Sequence, residues 1–138
     1  MHTLIKTAFL VTSLATGLAG AADLTIQVDD VKAATGSVLV AVFNSEGTFL
    51  KAAAKSGGAP ATLNGTTVVI GDLPEGDYAF AVYHDANANG KMDSNLVGIP
   101  TEDYAFSNNA AGNMGPPTFD AARFSLPAAG AALTVSVR

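Results

Sequence analysis

The chain has 138 residues, no cysteine, seven basic and twelve acidic side chains, and a formal net charge of −5 at pH 7. The lack of cysteine excludes disulfides and thiolate metal sites, and an acidic balance without a basic cluster makes nucleic acid and anionic lipid poor partners. The chain has two histidines, His2 at its very start and His84, and with His84 alone in the remainder a zinc site built from several imidazoles is excluded there.

Residues 1–21 have the pattern of a secretory signal peptide. Lys6 precedes an apolar run over residues 8–14, and small residues follow at 19–22. The run is shorter than the roughly 20 residues that cross a bilayer. We therefore expect cleavage after Ala21, no membrane span in the mature form, and export to the periplasm or beyond. Residues 22–138 then have a length that suits one domain.

Short runs of β-branched and aromatic residues between turn signals predict an all-β sandwich of about seven strands. Residues 37–43 are apolar at both parities, so we expect a central strand with the first strand as one neighbour. Proline and glycine in 71–76 predict a hairpin between the strands on either side. The seven predicted strands are 24–28, 37–43, 66–70, 77–84, 97–99, 123–126 and 133–137.

Two segments between these strands have other patterns. Residues 47–55 contain Phe49, Leu50 and several alanines, which predicts a short helical turn over one end of the sandwich, broken by the glycines and proline of 56–60. Residues 100–120 are rich in turn formers but hold four large apolar or aromatic side chains. We expect one long ordered loop that packs on the sandwich, since such loops are often functional.

The segment from Asp85 to Asp93 reads Asp-Ala-Asn-Ala-Asn-Gly-Lys-Met-Asp, which sets oxygen-bearing side chains two residues apart before a glycine. Calcium takes six to eight oxygen ligands, and this spacing turns alternate side chains toward one point. The segment therefore predicts a calcium-binding loop. The expected ligands are Asp85, Asn87, Asn89, the carbonyl of Lys91, and Asp93.

The loop departs from the helix-loop-helix calcium motif, because its twelfth position is Leu96 instead of a bidentate glutamate. We expect a loop between strands whose missing carboxylate comes from elsewhere, and the nearest candidates are Asn95, Glu102 and Asp103. With two carboxylates in the loop, the expected dissociation constant is about 10⁻⁴ to 10⁻³ M. Two alternatives stay open: a metal-free turn, since Asp and Asn bond the nearby backbone, and a different ion.

His84 is in phase with Tyr78, Phe80 and Val82, so it should face the core at the end of its strand. A hydrogen-bonded structural histidine is the favoured interpretation, because buried polar groups are usually satisfied. The alternative is a catalytic base beside Asp85, with Ser107 as nucleophile, although no nucleophile-elbow pattern supports it.

A polar ligand surface is a further candidate. Asn108, Asn109 and Asn113 supply hydrogen-bonding groups, and Tyr104 or Phe106 supplies a stacking face for a ligand such as a sugar. With His84 at the strand end, this set would bind a polar envelope ligand. The competing and favoured interpretation is that these asparagines bond their own loop.

Several sequence blocks resemble a family of small exported bacterial proteins known as domain of unknown function 2141. The resemblance implies an immunoglobulin-like or prealbumin-like Greek-key β-sandwich and implies no activity. The blocks that carry it are Val40-Ala-Val-Phe43, Thr48-Phe-Leu50, Leu73-Pro-Glu-Gly-Asp-Tyr78, His84 to Asp93, Gly98-Ile-Pro-Thr-Glu102, Phe106-Ser-Asn-Asn109 and Gly115-Pro-Pro-Thr-Phe119.

The sequence thus favours an exported binding or structural module with a calcium loop at 85–93, whose partner is a protein or a polar envelope ligand. A non-enzymatic role is favoured over an enzyme. Two alternatives remain at this level: a cell-envelope hydrolase or lyase that uses His84, and a purely structural envelope protein with a metal-free turn.

Overall fold

The computed structural model describes residues 21–138, so the predicted signal peptide, apart from Ala21, lies outside the described residues. Among residues 21–138, no helix has the length and apolarity that crossing a bilayer requires. The elements in chain order are β1 Ala22–Asp29, β2 Ser37–Phe43, β3 Lys55–Pro60, β4 Gly65–Leu73, β5 Gly76–Asp85, β6 Tyr104–Phe106, a 3-10 turn Ser107–Asn109, α1 Phe119–Ala122, β7 Phe124–Leu126 and β8 Ala131–Ser136.

The strands form two sheets that pack as a sandwich. One sheet has the order β4-β1-β8, and the other has the order β3-β2-β5-β6, with β7 also paired to β5. Strand β1 runs antiparallel to β4 and parallel to β8, whereas β2 runs antiparallel to both β3 and β5. The all-β sandwich prediction is confirmed, with eight strands in place of about seven.

The main core lies between the sheets and follows strand periodicity, because successive side chains on a strand face opposite sides. Leu24, Ile26 and Val28 of β1 are fully buried, as are Val38 and Val42 of β2. Each fully buried aliphatic side chain of this kind contributes about 1.5–3 kcal/mol through removal of its surface from water. The hydrophobic alternation of the predicted strands therefore sets which face each strand turns inward.

A second, aromatic cluster covers the outer face of the five-stranded sheet. Phe49 is its centre, with ring centroids 5.4 Å from Phe43, 6.3 Å from Phe106 and 5.8 Å from Phe119. Phe43 and Phe106 have the opposite parity to the buried core residues next to them, which places them on the outer face. Phe106 and Phe119 belong to this cluster, so the 100–120 segment packs on the sandwich as predicted, although residues 104–106 form strand β6 within it.

Two predicted strand pairings are wrong. β2 has β3 and β5 as neighbours, and β1 lies in the other sheet. The strands on either side of residues 71–76 exist, but β4 and β5 belong to different sheets, so their connection crosses between layers instead of closing a hairpin. The Tyr78 hydroxyl donates to the Pro74 carbonyl at 2.6 Å across this connection. Turn residues determine how tight a connection is, but packing of the strand faces decides whether its strands pair.

Of the prediction for residues 47–60, the short turn is confirmed and the break at 56–60 is wrong. Hydrogen-bonded turns form over 46–52, but Leu50 has φ +58, which interrupts any helix. The glycines at 57 and 58 lie inside β3 and do not break the chain. A Cβ on Gly58 would lie 2.7 Å from Leu39 Cδ2 and 2.8 Å from the Val38 carbonyl oxygen, so the glycines permit close approach to β2.

Residues 97–99 do not form the predicted strand. They belong to a turn closed by a single bridge between Ser94 and Pro100. The side-chain oxygen of Asn95 accepts hydrogen bonds from the backbone N–H groups of Val97 and Ile99, both at 3.0 Å. These bonds compete with a strand ladder, which is the usual effect of asparagine on its local backbone.

Candidate calcium loop and the adjoining apolar groove

The 85–93 loop begins at a rigid point of the fold. Asp85 is the last residue of β5, is 2% exposed, and pairs with Ser37 at the start of β2. Its carboxylate turns into the loop, where it accepts hydrogen bonds from the backbone N–H groups of Asn89 at 3.1 Å and Gly90 at 2.7 Å. Gly90 has φ +77, which glycine adopts without strain. One buried carboxylate therefore holds the bend of the loop.

The other polar side chains of the loop converge on Asp93. Asn89 Nδ2 donates to Asp93 Oδ1 at 2.7 Å, and Asn87 Nδ2 donates to Asp93 Oδ2. Each amide oxygen accepts from the backbone two residues further on: Asn87 Oδ1 accepts from the Asn89 N–H at 3.3 Å, and Asn89 Oδ1 accepts from the Lys91 N–H at 3.1 Å. The predicted side-chain ligands of the loop thus lie in one connected hydrogen-bond network.

Glu102 joins this network from outside the loop. Its Oε2 accepts from the Ala86 N–H and its Oε1 from the Asp93 N–H, each at 2.9 Å, so one carboxylate bridges both ends of the loop. The other two candidate ligands lie elsewhere. Asn95 bonds its own turn, and Asp103 forms an ion pair with Lys32 at 3.0 Å. Of the three additional candidates, only Glu102 is attached to the loop.

This network has two possible chemical uses. A carboxylate oxygen or amide oxygen that accepts one N–H keeps a second lone pair, so Asp85, Asn87, Asn89 and Asp93 retain capacity to bind a cation. The same hydrogen bonds also satisfy the side chains without any ion, as a metal-free turn requires. Among residues 21–138, no group of three or more histidine, cysteine, aspartate or glutamate side chains is arranged to hold a metal. A cation in this loop would therefore need the amide and backbone oxygens.

Hydrogen bonds from Asn89, and secondarily from Asn87, lower the pKa of Asp93 below its ordinary value. Because the pKa of Asp93 is lower in the folded than in the unfolded state, the network stabilises the fold at pH values above the ordinary aspartate pKa, about 3.9. This stabilisation is lost as the pH falls through the pKa of the folded state.

We expect Asn89→Ala to raise the pKa of Asp93. Carboxyl-carbon NMR titration measures this shift, with Asn113→Ala as the control; an unchanged Asp93 titration in Asn89→Ala would contradict the network.

His84 lies on the core side of β5, as its phase predicts, and is 5% exposed. Its Nε2 lies 2.7 Å from the Thr35 carbonyl oxygen, to which it donates. The Ser107 hydroxyl is occupied elsewhere, since it accepts from the Phe80 N–H at 3.0 Å and donates to the Ala122 carbonyl at 2.5 Å. Neither side chain lines a described cavity, so these contacts favour a structural histidine.

The asparagines of the predicted polar surface mostly bond their own fold. Asn108 Nδ2 donates to the Ala121 and Arg123 carbonyls at 3.3 and 2.9 Å, and Asn109 Oδ1 accepts from the Ser136 N–H at 3.0 Å. Asn109 also lines a cavity of about 300 Å³ beside Tyr104 and Arg138. These bonds occupy Asn108 and the oxygen of Asn109, but their partners lie beyond the 100–120 segment, in α1, its C-terminal cap and β8, and not in the loop itself.

A larger groove of about 940 Å³ adjoins the loop and was missed by sequence reasoning. Its lining includes residues of β5 and β6, together with Met92, Val97, Ile99 and Met114. The apolar residues at 97–99 inside a polar loop are the sequence signal for it, but they also fit the short strand that the sequence predicts there. Tyr104, predicted as part of a polar ligand surface, is a wall residue of this apolar groove.

A family model described as "Uncharacterized protein conserved in bacteria (DUF2141)" matches residues 26–134. The match covers most of the chain, including the 85–93 loop, the groove residues and all strands except the outer ends of β1 and β8. No curated protein and no solved structure matches the chain.

Proposed function

The chain belongs to the DUF2141 family of uncharacterised bacterial proteins, and from its own geometry we propose that it is an exported binding module whose 85–93 loop is ordered by calcium. The observation that carries this proposal is that one network joins Asp85, Asn87, Asn89 and Asp93, with Glu102 attached from outside the loop; ion binding would turn the two asparagine amides so that Oδ1 replaces Nδ2 toward Asp93. Calcium favours such flexible shells of carboxylate, amide and carbonyl oxygens.

Charge supports the same proposal. Asp85, Asp93 and Glu102 bring three carboxylates to one loop, against a single lysine, Lys91. The three are not arranged as a ready-made ligand cluster, but their combined negative potential attracts a divalent cation to the loop. Glu102 also supplies the third carboxylate that the loop sequence lacks, because its two oxygens already bond the loop backbone. In this proposal, Asp85, Asn87, Asn89, the Lys91 carbonyl and Asp93 bind the ion, and Glu102 binds directly or through water.

Export is the other part of the proposal. Ala22 is the first residue of β1, is buried, and pairs with Leu73. Cleavage after Ala21 would therefore leave the first strand whole, with the new N-terminus at the edge of the fold. The mature protein would work in the periplasm or outside the cell, where millimolar calcium matches a weak site. N-terminal sequencing of protein recovered from outside the inner membrane should begin at Ala22.

The competing proposal is a structural envelope protein with a metal-free turn, and the complete hydrogen bonding of the loop favours it. Calorimetry distinguishes the two. With about 10 mM calcium and a dissociation constant of about 10⁻⁴ to 10⁻³ M, the folded state gains roughly 1.4–2.7 kcal/mol. We expect the melting temperature to rise by about 5–10 °C relative to chelator. Magnesium should do less, because it loses its water reluctantly; an unchanged melting temperature in calcium would leave only the metal-free turn.

A further inference from the structure

The outer face of the five-stranded sheet is only partly covered. The aromatic cluster around Phe49 covers one part, and the groove of about 940 Å³ lies over Ala81 and Tyr83 of β5 and Tyr104 of β6. Residues 92–100, residues 114–116 and Leu50 complete its walls. This volume is in the range of cavities that enclose a small molecule.

The apolar side chains that the fold exposes are concentrated at this groove. Of the large hydrophobic side chains exposed among residues 21–138, those that line it are Leu50, Val97, Ile99, Tyr104 and Met114. Val97 is 78% exposed and Met114 is fully exposed. A contiguous apolar surface of this kind on one face marks a binding site far more often than scattered apolar residues do.

The backbone around the groove favours a hydrocarbon chain over a peptide. Strand β5 is paired with β2 on one side and with β6 along residues 81–83, and the N–H and carbonyl of Tyr104 bond Arg138. The strands β5 and β6 beneath the groove therefore offer no free edge with which an extended peptide could pair. The N–H and carbonyl groups of such a peptide would remain unpaired. An aliphatic chain has no such groups to satisfy.

The charge around the groove indicates which polar head group a bound hydrocarbon chain would carry. No lysine, arginine, aspartate or glutamate lines the groove, but at its loop end the lining residue Met92 lies between Lys91 and Asp93, and Pro100 lies two residues before Glu102; Lys51 follows Leu50 at another wall. The Tyr83 hydroxyl donates to the Gly90 carbonyl at 3.2 Å, and the lining residue Met92 precedes Asp93. The carboxylates of Asp85, Asp93 and Glu102 meet at this loop, against the single ammonium group of Lys91. Negative potential therefore reaches the loop end of the groove.

We propose that this groove binds a small cationic amphiphile, with its hydrocarbon chain on the face of β5 and β6 and its ammonium group beside Asp93 and Glu102. The proposal gives a ligand class to the binding module proposed above and rests on that binding role, but it does not require calcium. A bound calcium ion would draw on the same carboxylates and would compete with the ammonium group.

Three ligands with the same chain and different heads test this proposal. In chelator and low salt, below the micelle concentrations, calorimetric titration should show dodecyltrimethylammonium binding on the order of tenfold more tightly than the neutral dodecyl maltoside, with dodecanoate weakest. The preference for the cation should shrink in about 0.5 M salt, because exposed charges are then screened. Equal affinities for the three heads in low salt would overturn the proposal.

Paired variants locate the binding. Val97→Asn with Met114→Asn places polar groups on two exposed wall positions without disturbing the core, and we expect affinity for all three ligands to fall at least about tenfold. The control, Val69→Asn with Leu63→Asn, changes two exposed apolar residues outside the groove and should bind as the unaltered protein does. Equal binding by both variants would overturn the proposal.

The same variants separate other occupants. A dimer in sedimentation that the wall variant abolishes would assign the groove to a second copy of the chain and overturn the proposal. Tighter binding of an apolar peptide than of the cationic amphiphile would do the same. Because binding is measured in chelator, failure of this test leaves the calcium proposal standing, and failure of the calcium test leaves this one standing.

Discussion

Replacing Gly36 by alanine is expected to lower the free energy of unfolding by about 2–4 kcal/mol, from backbone strain and overpacking together. Gly36 has φ +67, and a Cβ there would lie 1.9 Å from the Asp85 carbonyl oxygen and 2.9 Å from that of Ala86. These are backbone atoms at the base of the 85–93 loop, so neither can rotate away. The end of β5 would have to move from β2, and with it the loop.

The melting temperature measures this effect, and at about 4 °C per kcal/mol it should fall by roughly 8–16 °C. Two control substitutions separate the causes. Gly98→Ala has the same left-handed backbone, φ +82, with no atom within 4 Å of the new Cβ, and should cost about 1 kcal/mol. Gly47→Ala has neither feature and should change little. If Gly36→Ala melted within two or three degrees of Gly98→Ala, the close approach of the two backbones would be wrong.

Asp85→Asn should abolish the calcium response. An asparagine keeps one acceptor oxygen, but its NH₂ group would face one of the two backbone N–H groups that Asp85 now accepts. In chelator, the unpaired donor and the lost charge should cost about 1–3 kcal/mol. In calcium, the expected rise of about 5–10 °C should disappear, because the first ligand and one negative charge are gone.

Asp72→Asn is the matched control for this charge change. Asp72 is exposed on β4 and has φ +58, a conformation that asparagine tolerates. Asp72→Asn removes one negative charge at a position away from the loop. In parallel melting curves, its calcium response should therefore equal that of the unaltered protein. A full calcium response in Asp85→Asn would place any bound ion outside the 85–93 loop.

Several features of the site follow from local sequence rules. The alternation of Asp85, Asn87 and Asn89 before Gly90 predicted that these side chains share one loop, and the structure brings them into one network. The phase of His84 with Tyr78 and Phe80 predicted its burial. Both features depend on residues within a few positions of one another, where strand periodicity and turn geometry act directly.

Other features depend on residues that are distant in sequence. Glu102 reaches the loop, whereas the neighbouring Asp103 pairs with Lys32, and no spacing rule distinguishes these two acids. The groove combines Leu50 with residues 92–100 and 114–116, and the prediction of a strand at 97–99 obscured it. Glycines 57 and 58 were interpreted as a break, because the close approach of β2 that requires them is not visible in the sequence.

The sequence by itself therefore determined the all-β class, the buried faces of the main strands and the membership of the 85–93 loop, since each follows from period-two alternation or from turn chemistry within a short segment. Only the tertiary structure decided that β2 lies between β3 and β5, that β4 and β5 occupy different sheets, and that an apolar groove adjoins an acidic loop. The physical reason is that strand pairing and cavity walls depend on burial of surfaces between distant segments, and local propensity carries no information about which distant surface will be buried.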